Sequence, residues 1–167
     1  MCGILGFIGN EIPSSVKFEK ALNKISHRGP DNIEYNQIDD KCILGHTRLS
    51  IIDLDTRSNQ PFQIGDYFIT FNGEIFNFIE LKTQLQENGY VFKTQSDTEV
   101  LLYSYIHWGE KCVEKFNGTG FHCNDLKQNM VGTFKLNVLC IVIPLTYMKH
   151  CSMSIKYEKK IPLIDQH

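Results

Sequence analysis

The sequence lacks most of the features that mark membrane, secreted or metal-binding proteins. Its longest apolar run, Val138 to Leu145, is far shorter than the roughly 18 residues expected of a membrane span. None of the six cysteines forms a CxxC pair, which argues against a zinc site. No basic region precedes the apolar N-terminal stretch, which argues against a signal peptide. We therefore predict a cytoplasmic protein with reduced thiols, no metal and no membrane partner.

The charge balance is also nearly even. A net charge of −2 provides no basic face, so no nucleic-acid partner is expected. The sequence shows no internal repeat and no low-complexity linker, and 167 residues suit one domain. Hydrophobic residues make up 42% of the chain, which is enough for a packed core in a globular protein.

What the sequence does contain is a succession of short strands and helices. The sequence predicts strands over 2–8, 42–52, 67–71 and 91–93, and the second and third of these show period-two alternation. Helical spacing predicts helices that begin near Ser14, Asn77 and Ser96. The apolar face predicted for the first helix consists of Phe18, Ala21, Leu22 and Ile25.

Cys2 follows the initiator methionine, so removal of Met1 would leave one residue with both a thiol and a free α-amine. A small second residue usually permits that removal. An α-amine ordinarily titrates at about 7.7–8.0 and a thiol at about 8.5, so the amine can take the thiol's proton near neutral pH. A cysteine at this position is more often chance than nucleophile, and the hypothesis depends on residues further along.

Three other positions carry polar groups that suit a binding site. Arg48 ends a mainly apolar strand face, and a half-buried arginine needs an anionic partner, although an arginine on an edge strand in water is an equal alternative. Asn72-Gly73 can present a side-chain amide and a backbone N–H, the donors that an oxyanion hole needs. Asp97 begins a helix, where an acidic residue caps the backbone and can also bind a ligand.

Six segments, taken in order, resemble the glutaminase domain of class II glutamine amidotransferases, most closely that of glutamine-hydrolysing asparagine synthetases. They are MCGILGF, HRGPD, GHTRLSIIDL, NQPF, FNGEIFN and SDTEVLL, and the resemblance covers residues 1 to about 118. Each segment is weak alone, but their joint occurrence is very specific. The resemblance implies an α+β fold of the N-terminal-nucleophile hydrolase type, with two antiparallel sheets between helix layers.

The resemblance also implies a role for each matching residue. Cys2 would be the nucleophile that attacks the glutamine carboxamide, with its own α-amine as base, while Asn72 and Gly73 would stabilise the oxyanion. Arg48 would hold the substrate α-carboxylate and Asp97 the α-ammonium. The other substrate-binding residues would be Leu49, Ile51, Ile52 and Glu74.

The implied reaction converts L-glutamine to glutamate and ammonia through a thioester and requires no cofactor. In the family the ammonia passes to a synthetase domain, which uses ATP and Mg²⁺ to activate aspartate. The implied partners are thus L-glutamine and such a synthetase, on this chain or in trans. The 167 residues show no ATP-binding glycine–serine loop and no synthetase segment.

The sequence departs from the family pattern soon after Gly118. We therefore predict a glutaminase-like domain over 1–118 and a tail over 119–167, which would leave the fold incomplete at its C-terminal end. The tail has three interpretations: a divergent but folded completion, a frame-disrupted or truncated product, or a new interaction segment. The abrupt loss favours the second.

Two alternative functions follow from these observations. The tail allows an inactive remnant or interaction module of an asparagine synthetase-like protein. The N-terminal cysteine allows a hydrolase that acts on another amide, although Arg48 and Asp97 together favour a free amino acid as substrate.

Overall fold

The computed structural model describes residues 2–119, 131–133 and 139–144. The strands are β1 (Gly3–Ile8), β2 (Asn32–Gln37), β3 (Cys42–Arg48), β4 (Phe62–Ile64), β5 (Tyr67–Asn72), β6 (Glu74–Ile75), β7 (Gly118–Thr119), β8 (Val131–Thr133) and β9 (Leu139–Pro144). The α-helices are α1 (Ser15–Asn23), α2 (Phe78–Glu87) and α3 (Asp97–Trp108). Short 3₁₀ helices span Ser26–Arg28, Thr56–Ser58 and Gly109–Lys115.

The strands form two main antiparallel sheets and a small ribbon. In the first sheet β3 lies between β1 and β2, and the order in the second is β4-β5-β9-β8. The ribbon consists of β6 and β7. Together with the three α-helices found in the described part of the chain, these sheets confirm the predicted α+β class with antiparallel sheets.

Three apolar clusters set the order of the layers. The first holds α1 against the first sheet, the second lies between the two sheets, and the third joins the second sheet to α2 and α3. Their buried members are, in that order, Phe18, Leu22 and Ile43; Cys42, Leu44 and Phe68; and Ile69, Phe71, Ile75, Leu81, Leu85, Val100, Leu101 and Leu102. Because side chains alternate along a strand, β3 and β5 each contribute to two clusters.

The predicted helices are present, with two differences in detail. Ser96 caps α3 by accepting the Glu99 N–H at 3.4 Å, and Gly109 ends that helix with φ 60°. Asn77 precedes α2 but does not cap it, because its side chain bonds instead to the backbone of Lys115 at 2.9 Å and of Asn117 at 2.8 Å. On α1, Ala21 is exposed although it was assigned to the apolar face.

The predicted strands are less accurate than the helices. β3 ends at Arg48 rather than at Ile52, because the chain there turns around the arginine side chain. Residues 91–93 form no strand, since the N–H of Lys93 bonds to the carboxylate of Glu99 at 3.0 Å. β2 and β4 were missed, because β2 has the polar sequence NIEYNQ and β4 is only three residues long.

Most of the predicted tail, residues 119–167, lies outside the described residues. Within it, β9 pairs with β5 from Tyr67↔Pro144 to Asn72↔Leu139 and also pairs with β8. The domain boundary after Gly118 stays a prediction. No helix among the described residues is long and apolar enough to cross a membrane.

Gly29 is packed directly against the end of β3. An added Cβ would overlap the carbonyl oxygen of Thr47 and would meet the carbonyl carbon of Arg48 at 2.6 Å. Since backbone atoms cannot turn aside as a side chain can, we expect Gly29→Ala to lower the free energy of unfolding by about 1–3 kcal/mol. Urea unfolding measures this change.

Gly9→Ala provides the matched control for that substitution. Its added Cβ would meet only ring atoms of Phe7, the nearest at 3.2 Å, so a change within about 0.5 kcal/mol is expected. Equal losses in the two variants would contradict the close packing assigned to Gly29.

Candidate active site

Every residue predicted for the site lines one cavity of about 380 Å³. Its wall is completed by His46, Ser58, Gln60, Phe71, Ser96 and Thr98. A volume of this size suits a small-molecule ligand. The structure therefore brings the predicted residues together, while the role of each one stays a prediction.

Cys2 precedes β1 and is held at both its sulfur and its backbone. The Leu49 N–H donates to Sγ at 3.3 Å, and Sγ lies 3.7 Å from the Leu49 carbonyl oxygen. Arg28 Nε donates to the Cys2 carbonyl oxygen at 3.0 Å. These contacts fix the thiol at the wall of the cavity, beside the end of β3.

Among the three cysteines whose side chains are described, Cys2 alone is partly exposed. Burial, with a smaller contribution from the charge of Asp39, raises the pKa of Cys42 to about 12. Burial likewise raises the pKa of Cys112 to about 12. Because the thiolate is the nucleophilic form, Cys42 and Cys112 are chemically inert near neutral pH.

Arg48 is 6% exposed, and its two Nη atoms donate to the loop that follows β3. Nη1 bonds to the carbonyl of Asp55 at 3.0 Å and to Asn59 Oδ1 at 2.7 Å. Nη2 bonds to the carbonyls of Ile52, at 3.4 Å, and of Asp53. An anion that entered the cavity would compete with these loop acceptors for the guanidinium.

Asp97 lies at the start of α3 and is 6% exposed. Burial raises the pKa of its carboxyl to about 6, although the Ile75 N–H, which donates to Oδ2 at 3.2 Å, opposes the shift. The charge of Glu74 adds to the rise. None of the ion pairs formed by described residues includes Asp97. A cationic group bound in the cavity would therefore stabilise the ionised carboxylate.

Asn72 is the last residue of β5, and Gly73 joins it to β6. The sequence predicted a strand-to-helix corner at this point, but the short strand β6 comes first and pairs with β7. This corner presents Asn72, Gly73 and Glu74 to the same cavity as Cys2.

His46 also faces the cavity and was assigned no role from the sequence. Its side chain is fully buried, and burial lowers its pKa to about 4, so the ring is neutral at pH 7. Neither ring nitrogen has a hydrogen-bond partner of normal geometry among the described residues. The nearby backbone of Phe71 raises the pKa of His46, but the effect of burial is larger.

The HRGPD turn contributes contacts to this site that were not predicted from the sequence. Asp31 N–H donates to the Arg48 carbonyl at 3.0 Å, and Asp31 Oδ2 accepts from the Ser50 N–H at 2.7 Å. Arg28 contacts Cys2 as described above. The signal for these roles was the match of HRGPD to the family pattern, since nothing in the turn chemistry alone indicates them.

Comparison with known proteins decides the family. The family model described as the glutamine amidotransferase domain matches residues 1–132. The chain belongs to this family. Among the residues that the structure describes, no group of three His, Cys, Asp or Glu side chains could hold a metal ion.

The similar proteins are glutamine-hydrolysing asparagine synthetases. Asparagine synthetase (glutamine-hydrolyzing) 1 of Bacillus subtilis is 42% identical over 125 residues, which cover 71% of this chain and 20% of that protein. Enzyme 3 of the same organism is 35% identical, with 78% and 22% covered. The Zea mays enzyme is 38% identical, with 71% and 20% covered. This chain thus spans about a fifth of the length of these relatives.

Proposed function

We propose that this glutamine amidotransferase domain, once Met1 is removed, hydrolyses L-glutamine to glutamate and ammonia through a thioester on Cys2. The observation that carries the proposal is the shared cavity, where a partly exposed thiol lies with a buried arginine and a buried carboxylate. An anion-binding and a cation-binding group in one cavity match the zwitterionic head of a free amino acid.

The substrate would be bound by its α-carboxylate and its α-ammonium. The guanidinium of Arg48 would exchange loop acceptors for the carboxylate, while Asp97 and Glu74 would receive the ammonium. The backbone at Leu49, Ile51 and Ile52 would line the rest of the substrate pocket. Because Asp97 has no ion-pair partner among the described residues, substrate binding would relieve a buried charge.

The chemistry would begin when the α-amine of Cys2 takes the proton of the thiol. The thiolate attacks the carboxamide carbon, and the tetrahedral oxyanion is stabilised by the Asn72 side chain and the Gly73 N–H. The protonated amine then delivers its proton to the leaving nitrogen, and ammonia departs. Water attacks the thioester, which releases glutamate and restores the thiol.

We also propose that the fold is of the N-terminal-nucleophile hydrolase type and that a synthetase receives the ammonia. The order helix, sheet, sheet, helix suits an N-terminal-nucleophile hydrolase, in which a strand carries the nucleophile at its start. By analogy with the similar asparagine synthetases, we propose that the ammonia passes to a synthetase domain, on this chain or in trans. As the family resemblance implies, that domain would activate aspartate with ATP and Mg²⁺, and the protein would be cytoplasmic. The glutaminase step itself would use no cofactor.

Glutamate release from L-glutamine by the purified chain tests the proposal. Intact-mass measurement first establishes that Met1 is absent. A version with one extra residue before Cys2 serves as control, because its α-amine is blocked in a peptide bond, and it is expected to be inactive. A folded, Met1-free chain that releases no glutamate would contradict the proposal and favour the inactive remnant. A preference for amides without the α-carboxylate would favour the other hydrolase.

A further inference from the structure

We infer that Gln60 is a positioning residue for this reaction, because its side chain joins two segments of the wall of the glutamine cavity. The inference rests on the proposed function and deepens it. One segment is the end of β5, which carries Asn72, where the carboxamide would react. The other is the start of α3, where Asp97 would hold the α-ammonium.

The amide of Gln60 makes two buried hydrogen bonds. Its Oε1 accepts from the Phe71 N–H at 2.6 Å, and its Nε2 donates to Thr98 Oγ1 at 3.1 Å. Gln60 is 7% exposed and Thr98 is 4% exposed. Phe71 precedes Asn72 directly, and Thr98 follows Asp97 directly. The bridge therefore ends one residue from each proposed substrate contact.

The strand register explains why a side chain performs this task. β4 pairs with β5 from Ile64↔Tyr67 to Phe62↔Ile69, and continuing that register would place residue 60 opposite Phe71. The pairing stops at Phe62, and Pro61 has no N–H to offer. The Gln60 carboxamide supplies the acceptor that a longer β4 backbone would have supplied, and its nitrogen remains available for α3.

Loss of the amide would affect both segments of the cavity wall together. An apolar side chain of similar length would fill the space but leave the Phe71 N–H and the Thr98 hydroxyl without their partner. Buried polar groups left unpaired are costly, so the strand end and the helix start would shift to find new partners. A displacement of about 1 Å between reacting groups can reduce a rate by about 100-fold.

The first test compares Gln60→Met with Gln63→Met in the Met1-free protein. Gln63 lies on β4, bonds to the Gly65 carbonyl at 2.8 Å, is exposed and does not line the cavity. We expect Gln60→Met to lower kcat/KM for L-glutamine by about 10- to 100-fold. Gln63→Met is expected to keep the wild-type value. Thr98→Val should lower kcat/KM by part of the amount seen in Gln60→Met. Thr98→Ser keeps the hydroxyl and should therefore lower kcat/KM less than Thr98→Val does.

Two further readouts separate positioning from a loss of structure. Alkylation of Cys2 by iodoacetamide needs no substrate pocket, so its rate is expected to stay near wild type in Gln60→Met. Hydrogen exchange of the Phe71 amide, followed by NMR, is expected to become faster because the N–H loses its buried acceptor.

The outcomes distinguish this inference from the proposed function. A wild-type protein without glutaminase activity would overturn both. An active wild type with unchanged kcat/KM in Gln60→Met would overturn the inference alone. A parallel fall in kcat/KM and in the alkylation rate would also overturn it, because that result indicates general disruption of the cysteine site.

Discussion

Replacing Cys2 by alanine is expected to abolish glutamate release, with a loss on the order of 10⁴-fold or more. Without the sulfur no thioester can form, and the remaining groups can only bind the amide and polarise it. Binding should survive the change, because Arg48 and Asp97 remain in the cavity wall. Glutamate assays measure the loss, and the rise in Tm with added L-glutamine measures the retained binding.

Cys112→Ala is the matched control for that experiment. Cys112 is 3% exposed, lies in the 3₁₀ helix after α3 and is absent from the cavity wall. Its loss should cost some stability and leave glutamate release intact at temperatures where the protein is folded. Equal activity in Cys2→Ala and the wild type would eliminate Cys2 as the nucleophile.

The site is assembled from the ends of regular elements rather than from their interiors. Cys2 precedes β1, Arg48 ends β3, Asn72 ends β5, and Asp97 begins α3. Each of these elements packs into at least one of the three apolar clusters, so the polar groups are held by packing that they do not themselves provide. This arrangement lets side chains that are costly to bury meet around one cavity.

Much of this arrangement could be predicted from sequence. A helix signal such as Ser96 is local, because a cap acts on N–H groups within one turn, and this position was correct. The grouping of Cys2 with Arg48 and Asp97 came from the ordered family segments. No local signal indicates that residues so distant in the chain share a cavity.

The features of the fold and site that were not predicted depend mainly on contacts that no local sequence pattern encodes. The partners of Arg48 are mainly backbone carbonyls, and their directions are set by the loop after β3. Gln60 acts between β5 and α3, so its role appears only once both elements are in place. β2 was missed because its polar sequence lacks the alternation that indicates a half-buried strand.

Asp97→Asn is expected to weaken L-glutamine binding and to stabilise the fold at the same time. The neutral amide cannot pair with the substrate ammonium, and loss of one member of a buried charge pair costs about 2–5 kcal/mol, which is about 30-fold or more in KM. The asparagine oxygen can still accept the Ile75 N–H that bonds to Asp97 at 3.2 Å. Glutaminase KM and urea unfolding of the same samples measure the two effects.

The gain in stability should depend on pH in a defined direction. Burial raises the pKa of Asp97 from 3.8 to about 6, so between these values the folded state binds more protons than the unfolded state. Stability from this group therefore falls as pH rises from 4 to 6, and the full penalty, at most about 3 kcal/mol, applies above that range. The advantage of Asp97→Asn should be largest at pH 7–8 and should vanish near pH 4.

Substrate binding by the wild type should follow the opposite trend. An α-ammonium favours the ionised carboxylate, so the Tm shift caused by L-glutamine should grow as pH rises through about 6 and should be nearly constant with pH in Asp97→Asn. Asp66→Asn changes an exposed turn outside the cavity. It should alter neither the pH dependence of stability nor the Tm shift caused by L-glutamine. If Asp97→Asn proved less stable than wild type at pH 8, the carboxylate would already have a stabilising partner in the unliganded protein. The assignment of Asp97 to the substrate ammonium would then lose its physical basis.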